Sequence, residues 1–308
     1  MSKKKVLFIT SNRIGDATLS TSLLNFLIVK FPDSHLTIVC GQSCAPLFNY
    51  VPGLKNLLPI EKKPFGLHWF KIWFNCLFVR WDLIVDLRSS LISLFLFSRK
   101  RRIFRKSNLS KNQHQVEQFA NFFDIKSPLS LKIWLSEREK NIANKIVPKD
   151  VSVLAICPTA HWSKKRWPVN KFSELIKRLV ATEGHFCGSK IMLIGADYER
   201  KLVEPILNDL NNFQVIDLVG KYDIITVYAC LERAKFFIGN DTSIMHLAAA
   251  ANIPTIGIFG PTPASVYGPW GDKTSIVTAG NNLNGSGCIE DIEVNEVESL
   301  VNTMIESN

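Results

Sequence analysis

Four polar stretches interrupt otherwise apolar runs in this 308-residue chain, and each carries residue types able to act on an anionic ligand. The first is Thr10-Ser11-Asn12-Arg13-Ile14-Gly15-Asp16. Gly15 permits a tight turn, and Asp16 then falls at the start of a helical pattern. A carboxylate in that place can take a proton from an attacking hydroxyl as a general base. It can also be a plain N-cap, contributing about 1 kcal/mol. The second stretch, residues 158–168, sets Lys164, Lys165 and Arg166 between Trp162 and Trp167, with Thr159 just upstream. Three adjacent cations can neutralise a diphosphate, although most charge runs are simply solvated. The third stretch, residues 195–197, ends in Asp197. In the fourth, Asp241, Thr242 and Ser243 precede an Ala-rich run, where backbone N–H groups of a helix's first turn bind phosphate readily. His246 lies one turn further along, on the same face as Thr242. A lone histidine of this kind is more often structural, so both roles stay open. Gly260-Pro261-Thr262-Pro263 then makes a rigid loop that can wall the same site.

Every one of these stretches follows a short apolar run, and the runs form a pattern. Residues 6–10, 36–40 and 83–86 read as strands, with 57–60 a further apolar run and 17–31 a helix. The pattern restarts at residues 151–157, followed by helix 171–181, strand 191–194, helix 199–210 and run 215–217. Helix 224–231, strand 235–238, helix 243–251 and strand 255–259 complete it. Strand–helix alternation implies an α/β fold with parallel sheets covered on both faces. Two successive units imply two Rossmann-like, doubly wound domains, expected at residues 1–146 and 147–308 with the crossing inside 135–150. A last helix, about residues 294–306, is expected to pack back toward the domain junction. In such sheets ligands collect beyond the carboxyl ends of the strands, which is where the four polar stretches fall. The glycine fingerprint GxGxxG is absent, which disfavours a dehydrogenase.

Hydrophobic content of 46% and charged content of 21% fit a folded globular chain. The net charge of +10 is unevenly spread. Residues 1–150 hold 24 Lys and Arg against 10 Asp and Glu, and the remainder 13 against 17. An anionic partner is therefore expected for the first half alone. No run of about 18 uncharged apolar residues occurs, so a spanning helix is not expected. Seven cysteines show no CxxC pair or metal spacing, and most sit in apolar runs, which fits a reducing compartment. The protein is expected in the cytoplasm. Two stretches mix aromatics with cations: residues 65–81, and 91–97 followed by Arg99-Lys100-Arg101-Arg102. Such a mixture suits interfacial helices on anionic lipid at the inner face of the cytoplasmic membrane, or else core helices with a solvated basic end.

Residues 237–263, running IGNDTSIMHLAAAANIPTIGIFGPTP from Ile238, closely resemble the signature of the lipopolysaccharide heptosyltransferases, glycosyltransferase family 9. Lys165-Arg166-Trp167-Pro168 resembles that family's basic-Trp-Pro loop, and Arg13-Ile14-Gly15-Asp16 its first strand–helix loop. The resemblance spans nearly the whole chain. It implies a GT-B architecture, with two domains facing a central cleft, and inverting transfer of heptose from ADP-heptose to a lipopolysaccharide inner-core acceptor. By the same resemblance Asp16 is the base and Lys165 binds donor phosphate. Thr159, Arg166, Asp241, Thr242, Ser243 and His246 join Lys165 in holding the donor. Asp197, or else Glu199, contacts the ribose, while Ser11, Arg13 and Arg88 are assigned to the acceptor. No cofactor or metal is implied, because Lys165, Arg166 and the helix start meet the charge of the leaving diphosphate. The expected partners are a nucleotide sugar and an anionic lipid-linked glycan, with peripheral contact to the inner membrane and no nucleic acid. One departure stands out: Ser243 occupies a place where the family usually has Gly, which leaves the donor open. The alternatives are a transferase or epimerase for another nucleotide sugar, and a non-enzymatic binder of anionic polymers.

Overall fold

The computed structural model describes residues 3–61, 67–105, 112–281 and 283–307. The chain divides into two compact units, residues 1–134 and 135–308. In the first, β1 (Lys5–Ile9), α1 (Ile14–Lys30), β2 (His35–Gly41) and β3 (Leu54–Ile60) are followed by α2 (Leu67–Leu77) and β4 (Trp81–Asp86). β5 (Ser98–Ile103) and α3 (Gln115–Phe122) complete it. The strands are all parallel, in the order β3-β2-β1-β4-β5. Val6, Leu7, Phe8 and Ile9 of β1 are fully buried, as a central strand covered on both faces requires.

The second unit opens with α4 (Glu137–Ile146), β6 (Val153–Cys157), α5 (Val169–Val180), β7 (Lys190–Leu193), α6 (Arg200–Asp209) and β8 (Val215–Asp217). It continues through α7 (Ile224–Leu231), β9 (Phe236–Asn240), α8 (Ser243–Ala250), β10 (Thr255–Phe259), α9 (Ala264–Tyr267), β11 (Thr274–Thr278) and α10 (Val294–Glu306). Its six parallel strands run β8-β7-β6-β9-β10-β11. Both sheets therefore share one plan. The chain winds outward one way from its first strand, returns beside that strand, and winds outward the other way. The reversal lies between β1 and β4 in one unit and between β6 and β9 in the other.

Three expectations need correction. The first unit ends at Trp134 rather than at residue 146, because α4 belongs with the second unit. The Arg233 guanidinium, just beyond α7, donates to the carbonyl of Val147 and, at 3.0 Å, to Asn144 Oδ1. The basic run 99–102 does not flank an interfacial helix. It lies within edge strand β5, whose main chain pairs with β4 (Leu83 with Lys100, Val85 with Arg102) while its cations face solvent. Charge on an edge strand discourages pairing with another chain. Residues 91–97 are a 3-10 turn (Leu91–Phe95) leading into that strand, not a helix. The last helix is bound into the second unit's core. Val294, Val297, Val301 and Met304 repeat at helical spacing and join the cluster around Trp167 and Phe172. Lys171 and Arg178 on α5 pin it by bonds to Ile292 O at 2.9 Å and Glu298 at 2.8 Å.

A buried carboxylate without a partner is among the most costly changes a core can carry. Val301→Asp should therefore lower stability by about 3 kcal/mol or more, read as a fall in the midpoint of urea unfolding, whereas Val301→Ile should unfold near the wild-type midpoint.

Candidate active site

In the first unit, the loops after β1 and β4 meet at the reversal point of the sheet. Arg88 Nη1 donates to Asn12 Oδ1 at 2.7 Å, and its guanidinium lies 5.1 Å from the centre of the Trp69 ring. Burial pushes the Arg88 pKa below its ordinary value, with neighbouring Asp86 opposing. Asp86 closes the apolar strand β4 and is fully buried. Its oxygens accept from the Arg88 and Ser90 amides, both at 2.8 Å, and from the Ser90 hydroxyl at 2.6 Å. Ser89 between them takes a left-handed φ of 54°, strain of about 1–2 kcal/mol for a side chain that the Asp86 bonds offset. Asp16 is not an N-cap. The helix begins at Ile14, Arg13 holds the cap position, and Asp16 is the third helical residue. Ser11 Oγ donates to Asp16 Oδ2 at 3.2 Å and accepts from the Arg13 amide at 3.1 Å. Asp16 stands in the first turn of this 17-residue helix. Arg13 itself is exposed.

The corresponding reversal point of the second unit carries the cationic loop. Lys165 Nζ lies 2.5 Å from Asp241 Oδ2, and the Thr262 hydroxyl donates to the same oxygen at 2.6 Å. Asp241 is buried and Lys165 partly so. Three loops, after β6, β9 and β10, thus converge on one carboxylate. Asn240 makes the convergence possible: its Nδ2 donates to Pro158 O at 2.8 Å and its Oδ1 accepts from the Trp167 amide at 3.0 Å. Trp167, fully buried, sends its indole N–H to Ile292 O at 2.9 Å. Gly260 permits the close approach, since a Cβ there would stand 2.8 Å from Ile289 Cβ and 3.2 Å from Lys164 O.

Thr242 occupies the N-cap of α8, and no side chain caps the helix. Its first-turn amides and positive dipole end are thereby left for an anion. Ser243 and Ile244 are half-buried in that turn, and His246 is buried one turn on. Cys157 Sγ sits beneath the site, 3.9 Å from Thr159 Oγ1 and 3.8 Å from Thr242 Oγ1. Arg166 turns onto its own loop, donating from Nε to Ala160 O at 2.7 Å and from Nη2 to His161 O at 3.3 Å. Glu199 is buried, accepting from Thr159 Oγ1 at 2.7 Å and from the Ala196 amide at 2.9 Å. Asp197 is exposed in the 3-10 turn (Asp197–Glu199) that follows β7 and abuts Gly220, where a Cβ would meet Asp197 Cα at 2.6 Å.

Residues 85–294 match the family model described as glycosyltransferase family 9 (heptosyltransferase). The chain belongs to glycosyltransferase family 9. Lipooligosaccharide heptosyltransferase 2 of Campylobacter jejuni (strain 81116) is 29% identical over 286 residues, spanning 85% of this chain and 83% of that one. The family 9 glycosyltransferase of Veillonella parvula, a solved structure, superposes with TM-score 0.80 at 18% identity, covering 100% of this chain and 99% of that one. The ADP-heptose lipopolysaccharide heptosyltransferase II of E. coli does so with TM-score 0.77 at 21% identity, covering 98% and 99%. The protein is thus a glycosyltransferase with the two-unit GT-B fold.

The structure of this glycosyltransferase brings Lys165 and Asp241 together, Thr159 and Thr242 around Cys157, Ser11 with Asp16, and Arg88 with Asn12. The Asp16 and Lys165 groups belong to different units. Residue types alone did not single out Asn12, Asp86 or Asn240. Two of them carried a readable signal, since Asp86 and Asn240 are polar residues that directly follow apolar runs, Leu83–Val85 and Phe236–Ile238 with Gly239.

Burial also sorts the thiols of this transferase. Cys40, Cys44, Cys76, Cys157 and Cys230 are buried, while Cys187 and Cys288 are exposed. Desolvation holds the Cys157 thiol up at about 11 and Cys40 at about 12. Only the thiolate attacks a disulfide reagent. At pH 8 a chromogenic disulfide should therefore titrate Cys187 and Cys288 quickly and the other five only after unfolding.

Proposed function

We propose that this family 9 glycosyltransferase moves heptose from ADP-heptose to the anionic, lipid-linked inner core of a lipopolysaccharide, inverting the anomeric centre. The observation that carries the donor side is the Lys165–Asp241 pair beside the uncapped start of α8, at the reversal point of the second sheet. The donor identity draws on the E. coli relative, which is an ADP-heptose enzyme by name.

In this reading the acceptor hydroxyl attacks the anomeric carbon as Asp16 takes its proton, a role worth about 10²–10⁴-fold. The bond from that carbon to the diphosphate breaks, and ADP departs carrying the electron pair. Lys165 and the first-turn amides of α8 meet the charge that develops on the leaving oxygen. Asp241 keeps the ammonium of Lys165 in place before the donor arrives, so little reorganisation is needed. Thr159, Thr242 and Ser243 supply hydroxyls along the diphosphate and His246 approaches the sugar. Asp197, exposed in the turn after β7, takes the ribose, while buried Glu199 braces Thr159. Arg166 acts by shaping the loop. Ser11, Arg13 and Arg88 receive the acid groups of the acceptor. No metal or other cofactor takes part. The acceptor is lipid-linked, so the reaction runs at the cytoplasmic face of the inner membrane. Ser243 also favours a second reading, transfer from another nucleotide sugar, because its side chain narrows the helix end on which the donor lies.

ADP and ADP-heptose should raise the melting temperature more than the GDP, UDP or CDP pairs at equal concentration. Should another nucleotide dominate, the ADP-heptose assignment fails. Asp16→Asn should lower kcat by about 10²–10⁴-fold while leaving the ADP-induced shift intact. Lys165→Ala should reduce both the ADP shift and kcat, the latter by about 10²–10³-fold. Turnover should be unchanged by EDTA.

A further inference from the structure

Seven of the fourteen large apolar side chains that stand exposed among the described residues fall between Phe70 and Phe97. On α2 the inward stripe is complete: Ile72 and Cys76 are buried in the core, with Trp69 and Trp73 packed against it. The opposite face should then be polar. Instead Phe70 and Phe74 lie on it and Phe78 follows directly, spaced four residues apart and 65%, 57% and 82% exposed. Phe74 and Phe78 meet edge to face at 5.8 Å, so they form one ridge. The turn after β4 continues it. Trp73 Nε1 donates to Phe95 O at 3.2 Å, and Leu91, Leu94, Phe95 and Phe97 are all exposed. Phe78 and Phe97 border one open groove of about 700 Å³ with Arg80, Ser98 and Arg99 in its wall.

Monomeric proteins rarely leave so large an apolar patch uncovered without a partner for it. The surrounding charge identifies the partner. Lys71, Arg80 and Lys100 are exposed beside the aromatics, as are Arg101 and Arg102 along the β5 edge. Arg99 bridges to Asp82 at 3.3 Å and remains largely in water. Protein–protein interfaces lose lysine and other charges from their centres, whereas aromatics mixed with Lys and Arg mark surfaces that sit at the headgroup level of anionic lipid. No helix among the described residues is long and apolar enough to cross a membrane.

We propose that this face of the N-terminal unit docks on an anionic lipid bilayer, with Phe70, Phe74, Phe78 and Phe97 entering the acyl boundary and the flanking cations meeting lipid phosphates. The inference deepens the proposed action at a membrane and rests on that part of the proposed function. It does not depend on the donor. The groove between Phe78 and Phe97 gives one acyl chain a place to lie, with Arg80 in its wall for the headgroup.

The test is cosedimentation of the full chain with vesicles of phosphatidylcholine alone, or mixed with phosphatidylglycerol, at low and moderate salt. The protein should pellet with the mixed vesicles, weakly with phosphatidylcholine, and less as salt rises. Phe74→Ser/Phe78→Ser and, separately, Arg80→Glu/Lys100→Glu should each weaken binding about tenfold or more, with circular dichroism and the ADP-induced thermal shift unchanged. Failure to bind mixed vesicles, or wild-type binding by the double serine variant, overturns the proposal. So does a concentration-dependent dimer that this variant abolishes, since a second copy then covers the face. Nucleotide stabilisation is read on the same samples, so its loss in the wild type counts against the donor reading and not against the docking face.

Discussion

Two hydrogen bonds from one buried amide hold the donor side of this enzyme together. Asn240 ends an apolar strand and reaches sideways to both ends of the long loop that follows β6, at Pro158 and Trp167. Each bond contributes only about 1 kcal/mol net, yet leaving either partner unsatisfied inside the protein costs about 1–3 kcal/mol. The loop is therefore clamped at two points. Trp167 fills the core below it, and Lys165 has only a short span of chain in which to move. That is how an ammonium on a flexible stem comes to rest 2.5 Å from Asp241. A partly buried ion pair adds little stability of its own, because desolvation offsets most of the attraction. Its consequence is positional.

The first unit solves a similar problem with different residues. There a buried carboxylate, Asp86, holds the backbone of the following loop through two amides and a hydroxyl, and the loop aims Arg88 at Asn12. In both units a polar residue closing a buried strand organises a loop that carries a charged side chain of the site, Arg88 in one and Lys165 in the other. Parallel strands make this economical. All of them end on the same edge, so loops far apart in sequence gather at the reversal point without a dedicated scaffold. The two sites then differ in sign: one offers a carboxylate at a helix start, the other an ammonium and free amides.

Helix α2 and the turn after β4 follow another logic. An apolar face opposite a buried one lowers solubility unless something covers it. The cations interleaved with it keep that face compatible with water and with phosphate alike. Edge strand β5 adds to the same charge while its main chain stays in the sheet.

Much of the plan was legible in the residues. Short apolar runs such as Val6–Ile9 and Ile256–Phe259, too short for a helix and bounded by polar or turn residues, announced buried parallel strands. The polar stretches after them announced ligand loops, and the block from Ile238 to Pro263 carried the family. Strand β5 was not legible, since an edge strand is held by main-chain bonds and its side chains can be any that water tolerates. Helix α4 reads as a linker until Arg233 is seen gripping it, and the core partners of α10 are unnamed until its valines are found beside Trp167. Asp16 as a third helical residue rather than a cap depended on where one turn of backbone began. Local pattern alone determined most of the central strands and where charge would gather. Only the tertiary structure decided which loops meet, because that depends on strand order, and strand order is set by contacts between residues distant in the chain.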